Sequence, residues 1–370
     1  MKSLRFGSSA FCACVVAALL AGCGTAQPPT AASVTALRRL GTSSYQVLYR
    51  FGSRHNPRHD IGGAGPEGLV AVGGELYGTT AGGGYRNWGT VYSVSTAGAK
   101  TVLHRFDYKT NDGLNPVGTL IAVNGLLYGA TYIGGKCGSG SIYSISTSGT
   151  EKLLHSLCGS DGIQPLAGLV NVNGTLYGTT VYGGAHNYGT VYTIDATGKE
   201  KVLYSFQSGS DGALPFSALI DVNGTLYGTT SQGGGNHVGC SPSYAGCGTA
   251  YSIGTTGDEK VLYAFGGFGS GGGANGASPT AGLLELNGAL YGAASSGGSD
   301  GLGVVFSLSP SGSEQDLHNF AGGSDGANPA RELIDLNGTL YGTTPQGGST
   351  SGCTKYGRSG CGTIFSFSPY

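Results

Sequence analysis

Short runs of alternating apolar and polar residues fill most of the chain, and glycine, asparagine or aspartate bounds each run. Between residues 167 and 206 four successive runs read AGLVNVNG, TLYGTT, GTVYTI and KVLYSF. Alternation of this length, with β-branched and aromatic residues, is typical of β-strands. Asn173-Gly174 lies between the first two runs and predicts a type I′ turn, because both central positions of that turn need positive φ. The stretch therefore predicts four antiparallel strands.

This four-strand unit is repeated along the chain. The nine letters VNGTLYGTT occupy residues 172–180 and return at 222–230. Alignment on the LYG triplet finds six copies with a period of about fifty residues and no accompanying helical periodicity, which indicates β-propeller blades. The aligned tyrosines are Tyr77, Tyr128, Tyr177, Tyr227, Tyr291 and Tyr341.

The number of runs suggests how the ring closes. First, second and third runs occur six times, whereas only five fourth runs follow them. The unmatched run YQVLYRF, residues 45–51, precedes the first unit. We therefore predict an all-β fold over residues 45–370: a six-bladed β-propeller of four-stranded blades, with the N-terminal strand closing the last blade. Such closure removes an exposed sheet edge.

The N-terminus is typical of an export signal. Lys2 and Arg5 precede a short apolar segment that ends in LAGC, with Cys23 as its last residue. This resembles a bacterial lipobox, so we expect a lipoprotein signal peptide at 1–22 and a lipidated Cys23 followed by a flexible tether at 23–44. The alternative is an ordinary signal peptide cut after a small residue. Gly24 is not aspartate, and by resemblance to Gram-negative sorting this favours anchoring in the outer membrane, on its periplasmic or surface face.

Composition supports a turn-rich exported β protein. Glycine accounts for 73 residues and charged residues for 11 %, but 39 % hydrophobic residues and 22 tyrosines argue against a disordered chain. The net charge of −1 gives no basic surface for nucleic acid. We expect a monomer that reaches the membrane through its lipid anchor.

The repeat resembles the Gloeobacter–Verrucomicrobia (GloVer) tandem repeat of surface proteins with varied anchors. The resemblance covers about residues 45–370 and is carried by LYGTT, GG, GTVYS, VLYSF and SDGAxP. The blade is also similar to kelch repeats, although the kelch tryptophan of the fourth run is absent. The resemblance implies an exported, anchored, propeller-like protein and supplies no biochemical activity.

Six cysteines follow the anchor, an even number that favours disulfides in an exported chain. Cys240 and Cys247 share one long loop, and Cys353 and Cys361 share another. Cys137 occupies the repeat position of Cys247 and Cys361, which leaves Cys158 as its partner. A zinc site is the alternative, but these spacings do not match tetrahedral zinc motifs.

A second set of repeated residues lies between the fourth run of one unit and the first run of the next. Four aspartates lie there, each followed directly by glycine and, four residues after the aspartate, by proline: Asp112, Asp161, Asp211 and Asp325. A ring of carboxylates could bind Ca²⁺ or a sugar hydroxyl. The alternative, which repetition in every blade favours, is a local turn in which aspartate accepts backbone N–H groups. No other cofactor is expected.

The loops between second and third runs vary most, and variable loops on a rigid scaffold usually carry recognition. Their aromatic and polar residues suit a glycan or an envelope protein. Trp88 is the first choice for a binding residue. The full set of candidates is Trp88, Tyr85, Arg86, His186, Tyr188, His237, Tyr244 and Tyr356. The alternative is a set of solvated loops with incidental aromatic residues.

These features support three functions. The first is a binding propeller whose two loop types face a ligand or protein partner, with no catalytic residue evident. The second is an enzyme acting on polysaccharide or a lactone-type substrate, which needs acid and base groups at the channel. The third is a purely structural surface protein.

Overall fold

The computed structural model describes residues 47–51, 62–235, 240, 246–266, 275–348 and 360–369. Six antiparallel sheets follow one another and form a six-bladed β-propeller. Besides strands, the described residues contain three short 3-10 segments, Tyr85–Asn87, Tyr108–Thr110 and Gly323–Asp325. None of their helices is long and apolar enough to cross a membrane.

The blades are numbered in chain order. Blades 1 and 2 comprise β1 (Ala64–Val72), β2 (Glu75–Gly82), β3 (Thr90–Ser95), β4 (Lys100–Arg105), β5 (Gly113–Val123), β6 (Leu126–Gly134), β7 (Ser141–Ser146) and β8 (Glu151–Ser156). Blade 3 comprises β9 (Val170–Val172), β10 (Thr175–Thr180), β11 (Thr190–Ile194) and β12 (Glu200–Ser205).

The later blades carry additional two-residue strands. Blade 4 and its loops comprise β13 (Gly212–Ala213), β14 (Ile220–Val222), β15 (Thr225–Thr230), β16 (Gln232–Gly233), β17 (Thr249–Gly254) and β18 (Glu259–Ala264). Blade 5 and its loops comprise β19 (Gly276–Ala277), β20 (Leu284–Leu286), β21 (Ala289–Ala294), β22 (Ser296–Gly297), β23 (Val304–Leu308) and β24 (Glu314–Asn319). Blade 6 comprises β25 (Ile334–Leu336), β26 (Thr339–Thr344) and β27 (Thr363–Phe367).

Each blade follows the same antiparallel meander from its first strand to its last. The Asn-Gly turns are as predicted: Asn173 has φ of 52° and Gly174 has φ of 88°, both in the left-handed region that a type I′ turn requires. A register shift between the third and fourth strands, such as the one between Val191 and Tyr192, recurs in blades 1 to 5. The hairpin chemistry of one repeat is therefore reproduced around the ring.

Two kinds of loop meet on one face, which we call the loop face. It consists of the 2–3 loops, between second and third strands, and the 4–1 loops, between successive blades. The ladder of β13 with β16 joins a 4–1 loop to the start of a 2–3 loop within blade 4. Between blades, Leu214 N donates to the carbonyl of Tyr188 (2.9 Å), and Pro215 packs on Gly189 so closely that a Cβ there would lie 2.6 Å from the ring.

The hydrophobic core is divided among the interfaces between neighbouring blades, which we call seams; seam 1 lies between blades 1 and 2, and so on. In seam 1 the fourth-strand Phe106 meets the third-strand Tyr143 edge to face at 5.2 Å. The same contact joins Phe206 to Tyr251 in seam 3 at 5.1 Å. Offset aromatic contacts of this kind add stability beyond the area they bury, so each seam is held by its own aromatic pair or its aliphatic equivalent.

The sixth blade is less regular than the other five among the described residues. Its sheet has three strands among the described residues, and Val47–Phe51 is not assigned to a strand. That segment nevertheless contacts blade 1 as a fourth strand would, because Phe51 meets Tyr92 edge to face at 5.0 Å. Pairing of the segment with β27 is not observed. Accordingly Ile364 on β27 is 82 % exposed, whereas its counterpart Ile142 in blade 2 is fully buried.

Candidate functional site

The 2–3 loops of blades 1 and 3 share one conformation. Asn87 Oδ1 accepts a hydrogen bond from Gly83 N at 2.7 Å, and Asn187 Oδ1 accepts one from Gly183 N at 3.0 Å. This closure turns the residue before each asparagine outward, so Arg86 and His186 occupy equivalent exposed positions. Two predicted binding residues therefore lie on the surface of the loop face.

Arg86 contacts one exposed tyrosine and directly follows another in the chain. Its Nη1 donates to Tyr108 Oη at 2.9 Å, and its guanidinium carbon lies 5.1 Å from the centre of the Tyr108 ring. Tyr85 and Tyr108 are 58 % and 47 % exposed. We call Tyr85, Arg86 and Tyr108 the aromatic patch. It combines flat apolar faces with a fixed hydrogen-bond donor, the combination that recognises sugars and polar peptides.

Tyr108 was not among the residues predicted from the sequence. It belongs to the 4–1 loop after blade 1, where Asp107 Oδ1 accepts a hydrogen bond from Lys109 N at 3.3 Å and starts a 3-10 turn. The 4–1 loop after blade 5 also contains a 3-10 segment, Gly323–Asp325, but without a side-chain cap, and no repeat pattern marks Tyr108. The useful signal would have been the sequence DYK at a position where the other 4–1 loops are rich in glycine and serine.

Trp88 does not lie at the surface as the sequence suggested. It is half-buried and packs with Tyr77, Phe106 and Leu114 in seam 1, and its indole nitrogen is buried without a hydrogen-bond partner. Tyr188 takes the same position in blade 3 and packs into seam 3. His237, Tyr244 and Tyr356 lie outside the described residues.

The repeated aspartates form turns. Asp112 Oδ1 accepts a hydrogen bond from Gly113 N (2.8 Å), and Asp211 accepts from Gln207 N (2.8 Å) and Gly212 N (2.7 Å). Asp161 and Asp325 likewise accept from the backbone of their own loops. This is the local turn that the sequence analysis set against a ligand role.

Each of these carboxylates also binds a fourth-strand side chain. His104 Nε2 lies 2.6 Å from Asp112 Oδ2, and His155 Nε2 lies 2.6 Å from Asp161 Oδ2. Tyr204 Oη donates to Asp211 Oδ2 at 3.0 Å in seam 3. The aspartates therefore point into the seams and do not form an open ring around the channel.

A glutamate from the following blade completes each of these groups. Glu151 joins His104 and Asp112, and Glu200 joins His155 and Asp161, with all ligand atoms of a group within 4.8 Å of one another. No sequence pattern pointed to these glutamates, because each begins a fourth strand directly after a polar turn.

Burial perturbs the seam glutamates. Desolvation raises the pKa of Glu200 to about 7; His155 lowers this pKa and Asp161 raises it. Desolvation also raises the pKa of Glu259 to about 7, with a further increase from the charge of Asp211 and a decrease from the hydrogen bond of Tyr204. The pKa values of Glu151 and Glu314 are raised by the same desolvation.

The cysteines pair as the repeat register predicts. Cys137 and Cys158 form a disulfide with Cα atoms 5.2 Å apart, and Cys240 and Cys247 form another with Cα atoms 5.0 Å apart. Cys361 is also disulfide-bonded, and its predicted partner Cys353 lies outside the described residues. The first bond ties the 2–3 loop of blade 2 to the end of its fourth strand, and the second closes the 2–3 loop of blade 4 on itself.

A cavity of about 590 Å³ lies where the first strands of all six blades converge. Small residues such as Thr119 and Ser217 line most of it. The ionisable side chains in its lining are Glu67, Arg331 and Glu332, from blades 1 and 6. Among the described residues, Glu67 and Glu332 are therefore the carboxylates that this cavity offers to a reaction.

The comparison with known proteins identifies the repeat. The family model described as the Gloeobacter/Verrucomicrobia repeat matches residues 34–242 and 240–370. The chain belongs to this family. The Gloeobacter/Verrucomicrobia repeat thus accounts for the LYGTT and SDGAxP motifs, and the resemblance noted in the sequence is confirmed.

The solved structures to which the chain is similar share little sequence with it. A gluconolactonase from Xanthomonas campestris has 14 % identity and a TM-score of 0.40, with 77 % of this chain and 84 % of that chain covered. A putative gluconolactonase has 14 % identity and a TM-score of 0.39, covering 76 % and 86 %. A puromycin-hydrolysing peptidase from Mycobacterium tuberculosis has 11 % identity and a TM-score of 0.41, covering 76 % and 43 %. No curated protein sequence matches the chain.

Proposed function

We propose that this protein is a lipid-anchored, extracytoplasmic propeller that binds a glycan or an envelope protein through its loop face. The observation that carries the proposal is the aromatic patch, where two exposed tyrosines flank an arginine held by Tyr108. Tyrosine faces stack on sugar rings or peptide side chains, and the remaining guanidinium donors fit hydroxyl or carbonyl oxygens.

The proposed ligand class is a neutral or weakly acidic glycan. The patch carries one positive charge and no carboxylate among its three residues, so sugar hydroxyls and an occasional acidic substituent suit it. Arg86 is already fixed against Tyr108, which reduces the entropy lost when a ligand binds. The ring scaffold holds both loops that form the patch, so the recognition surface is largely preformed.

A glycan array followed by titration calorimetry with the strongest glycan tests this proposal. Tyr85→Ala and Tyr108→Ala should each weaken binding roughly tenfold, because each removes one aromatic contact worth about 1–1.5 kcal/mol. Tyr85→Phe should retain most of the affinity because the ring remains. Lys201→Ala, exposed on β12 of blade 3, is the surface control and should bind as the unmodified protein does. Unchanged affinity in both alanine variants would remove the patch from the proposal.

Location is tested separately. The two disulfides support an oxidising compartment, and the lipobox-like LAGC supports acylation of Cys23. Cys23→Ser should release the protein from the membrane fraction and abolish incorporation of a labelled fatty acid. Continued membrane association of the unlabelled variant would contradict the anchor.

The enzyme alternative depends on the channel carboxylates Glu67 and Glu332. Turnover of a lactone or polysaccharide that disappears in Glu332→Gln would favour it over a binding role. Absence of both turnover and binding would leave a structural surface protein.

A further inference from the structure

Seams 1 and 2 each contain three ligand groups contributed by two successive blades. His104 on β4 and Asp112 in the following loop meet Glu151 at the start of β8. His155 on β8 and Asp161 meet Glu200 at the start of β12. Each group presents one imidazole nitrogen and two carboxylates at a position fixed by strands on both sides of the seam. The Asp112 side chain is 6 % exposed, so this position is largely removed from solvent.

Each of these groups holds more acidic than basic side chains. When both carboxylates are ionised, they and the imidazole carry a net charge of −2 with neutral histidine and −1 with histidinium. Among the described residues the ion pairs in seams 1 and 2 are those of histidine with aspartate. Glu151 Oε1 and Glu200 Oε1 are buried and have no hydrogen-bond partner, and the same is true of Glu259 Oε1 and Glu314 Oε1 in seams 3 and 4; what distinguishes seams 1 and 2 is the imidazole nitrogen and aspartate close to this oxygen. A buried carboxylate oxygen without a partner is costly, and a cation placed between the three groups would satisfy it.

The remaining seams show what the same position looks like without this ligand set. In seam 3 a phenol replaces the imidazole, and Tyr204 Oη donates to Asp211. In seam 4 an amide replaces the aspartate, and Asn275 Nδ2 donates to Glu314 Oε2 at 3.3 Å. Seams 3 and 4 therefore use neutral hydrogen-bond donors where seams 1 and 2 have an additional ligand atom.

The donor set restricts the ion. One imidazole nitrogen and two carboxylate oxygens suit a divalent transition ion such as Zn²⁺, whose bonds of about 2.0–2.2 Å and tetrahedral geometry leave one position for water. Ca²⁺ prefers six or more oxygen ligands, which three side chains cannot supply. We propose that seams 1 and 2 each bind one divalent ion of the Zn²⁺ class between the histidine, the aspartate and the glutamate, and that these ions cross-link blades 1, 2 and 3.

Binding stoichiometry tests the proposal on the full-length protein. The protein is first dialysed against a chelator and then titrated with ZnCl₂ in a calorimeter. The unmodified protein should bind two ions, and the single variants His104→Gln and His155→Gln should each bind one. The double variant should bind none in the seams. The control His318→Gln lies in seam 5, where the described residues offer only Asp325 beside it, and should still bind two.

A gain-of-site variant keeps the test informative if loss variants unfold. Tyr204→His recreates in seam 3 the histidine, aspartate and glutamate set and should raise the stoichiometry to three. Co²⁺ should give a visible absorption band in the unmodified protein that weakens by about half in His104→Gln. Absence of saturable Zn²⁺ binding, or a stoichiometry unchanged in the His104→Gln, His155→Gln double variant, would overturn the proposal. Preference for Ca²⁺ over Zn²⁺ would overturn it as well.

Discussion

Replacing Glu259 by glutamine should change how stability depends on pH. Glu259 begins β18 and faces Asp211 and Tyr204 in seam 3, and desolvation raises its pKa to about 7. In the unfolded chain a glutamate has a pKa of about 4.3. Between these values the folded protein holds a proton that the unfolded chain has lost. The stability contributed by this group is therefore complete below pH 4.3 and is lost as the pH rises through 7.

The size of the effect follows from the same difference. One pKa unit corresponds to about 1.4 kcal/mol, so full expression would give about 3.7 kcal/mol. The side chain is partly exposed, and solvent screening reduces the expected value to about 1.5 kcal/mol. Glutamine has no proton to lose and nearly the same shape as glutamate. Glu259→Gln should thus match the unmodified protein at pH 4 and exceed its stability by about 1.5 kcal/mol at pH 8.

Urea unfolding between pH 4 and pH 8, followed by the fluorescence of the single tryptophan Trp88, measures this difference. Asp258→Asn, one residue earlier and exposed, is the matched control and should show a much smaller pH-dependent gain. The reasoning is refuted if Glu259→Gln changes the free energy of unfolding by the same amount at pH 4 and at pH 8. A loss of stability at pH 8 would refute it as well, because it would mean that an ionised Glu259 is compensated in the seam.

Two further predictions concern packing. Tyr251 is fully buried and its hydroxyl has no hydrogen-bond partner, whereas Phe306 and Phe365 occupy its position in blades 5 and 6. Tyr251→Phe should therefore leave the free energy of unfolding unchanged or raise it by about 1 kcal/mol. A clear loss of stability in urea unfolding would reveal a partner for the hydroxyl. Ile142→Ala should cost about 2–5 kcal/mol because the side chain is fully buried, whereas Ile364→Ala should cost under about 1 kcal/mol because it is exposed. Equal costs for the two isoleucines would mean that the sixth blade is covered in solution by the segment that the sequence assigns to it.

Most of the fold could be predicted because it depends on local patterns. Asn173-Gly174 specifies its turn within a few residues, and the LYG triplet marks each second strand. The closure of blade 6 depends instead on contact between Val47–Phe51 and β27, which are far apart in the chain. Local pattern supplies the strand propensity of such a segment but not its pairing.

The candidate sites were harder to predict for a related reason. Glu200 contacts His155 and Asp161 only after two repeats have packed together, so neither repeat by itself contains the group. Trp88 and Arg86 are two residues apart in the same loop, yet the bond between Asn87 and Gly83 sends one into a seam and leaves the other at the surface. The variability of the loop marked it as a candidate for recognition but could not show which side chain faces the seam and which faces solvent.

The division of the core into seams has a consequence for how such a chain can change its length. The seams take residues from one repeat and from the next, as Phe106 and Tyr143 illustrate. Duplication or deletion of one whole repeat would therefore leave every junction with its two complementary halves. A gene could gain or lose a blade by recombination without inventing a new interface, and selection would then act on the loops alone.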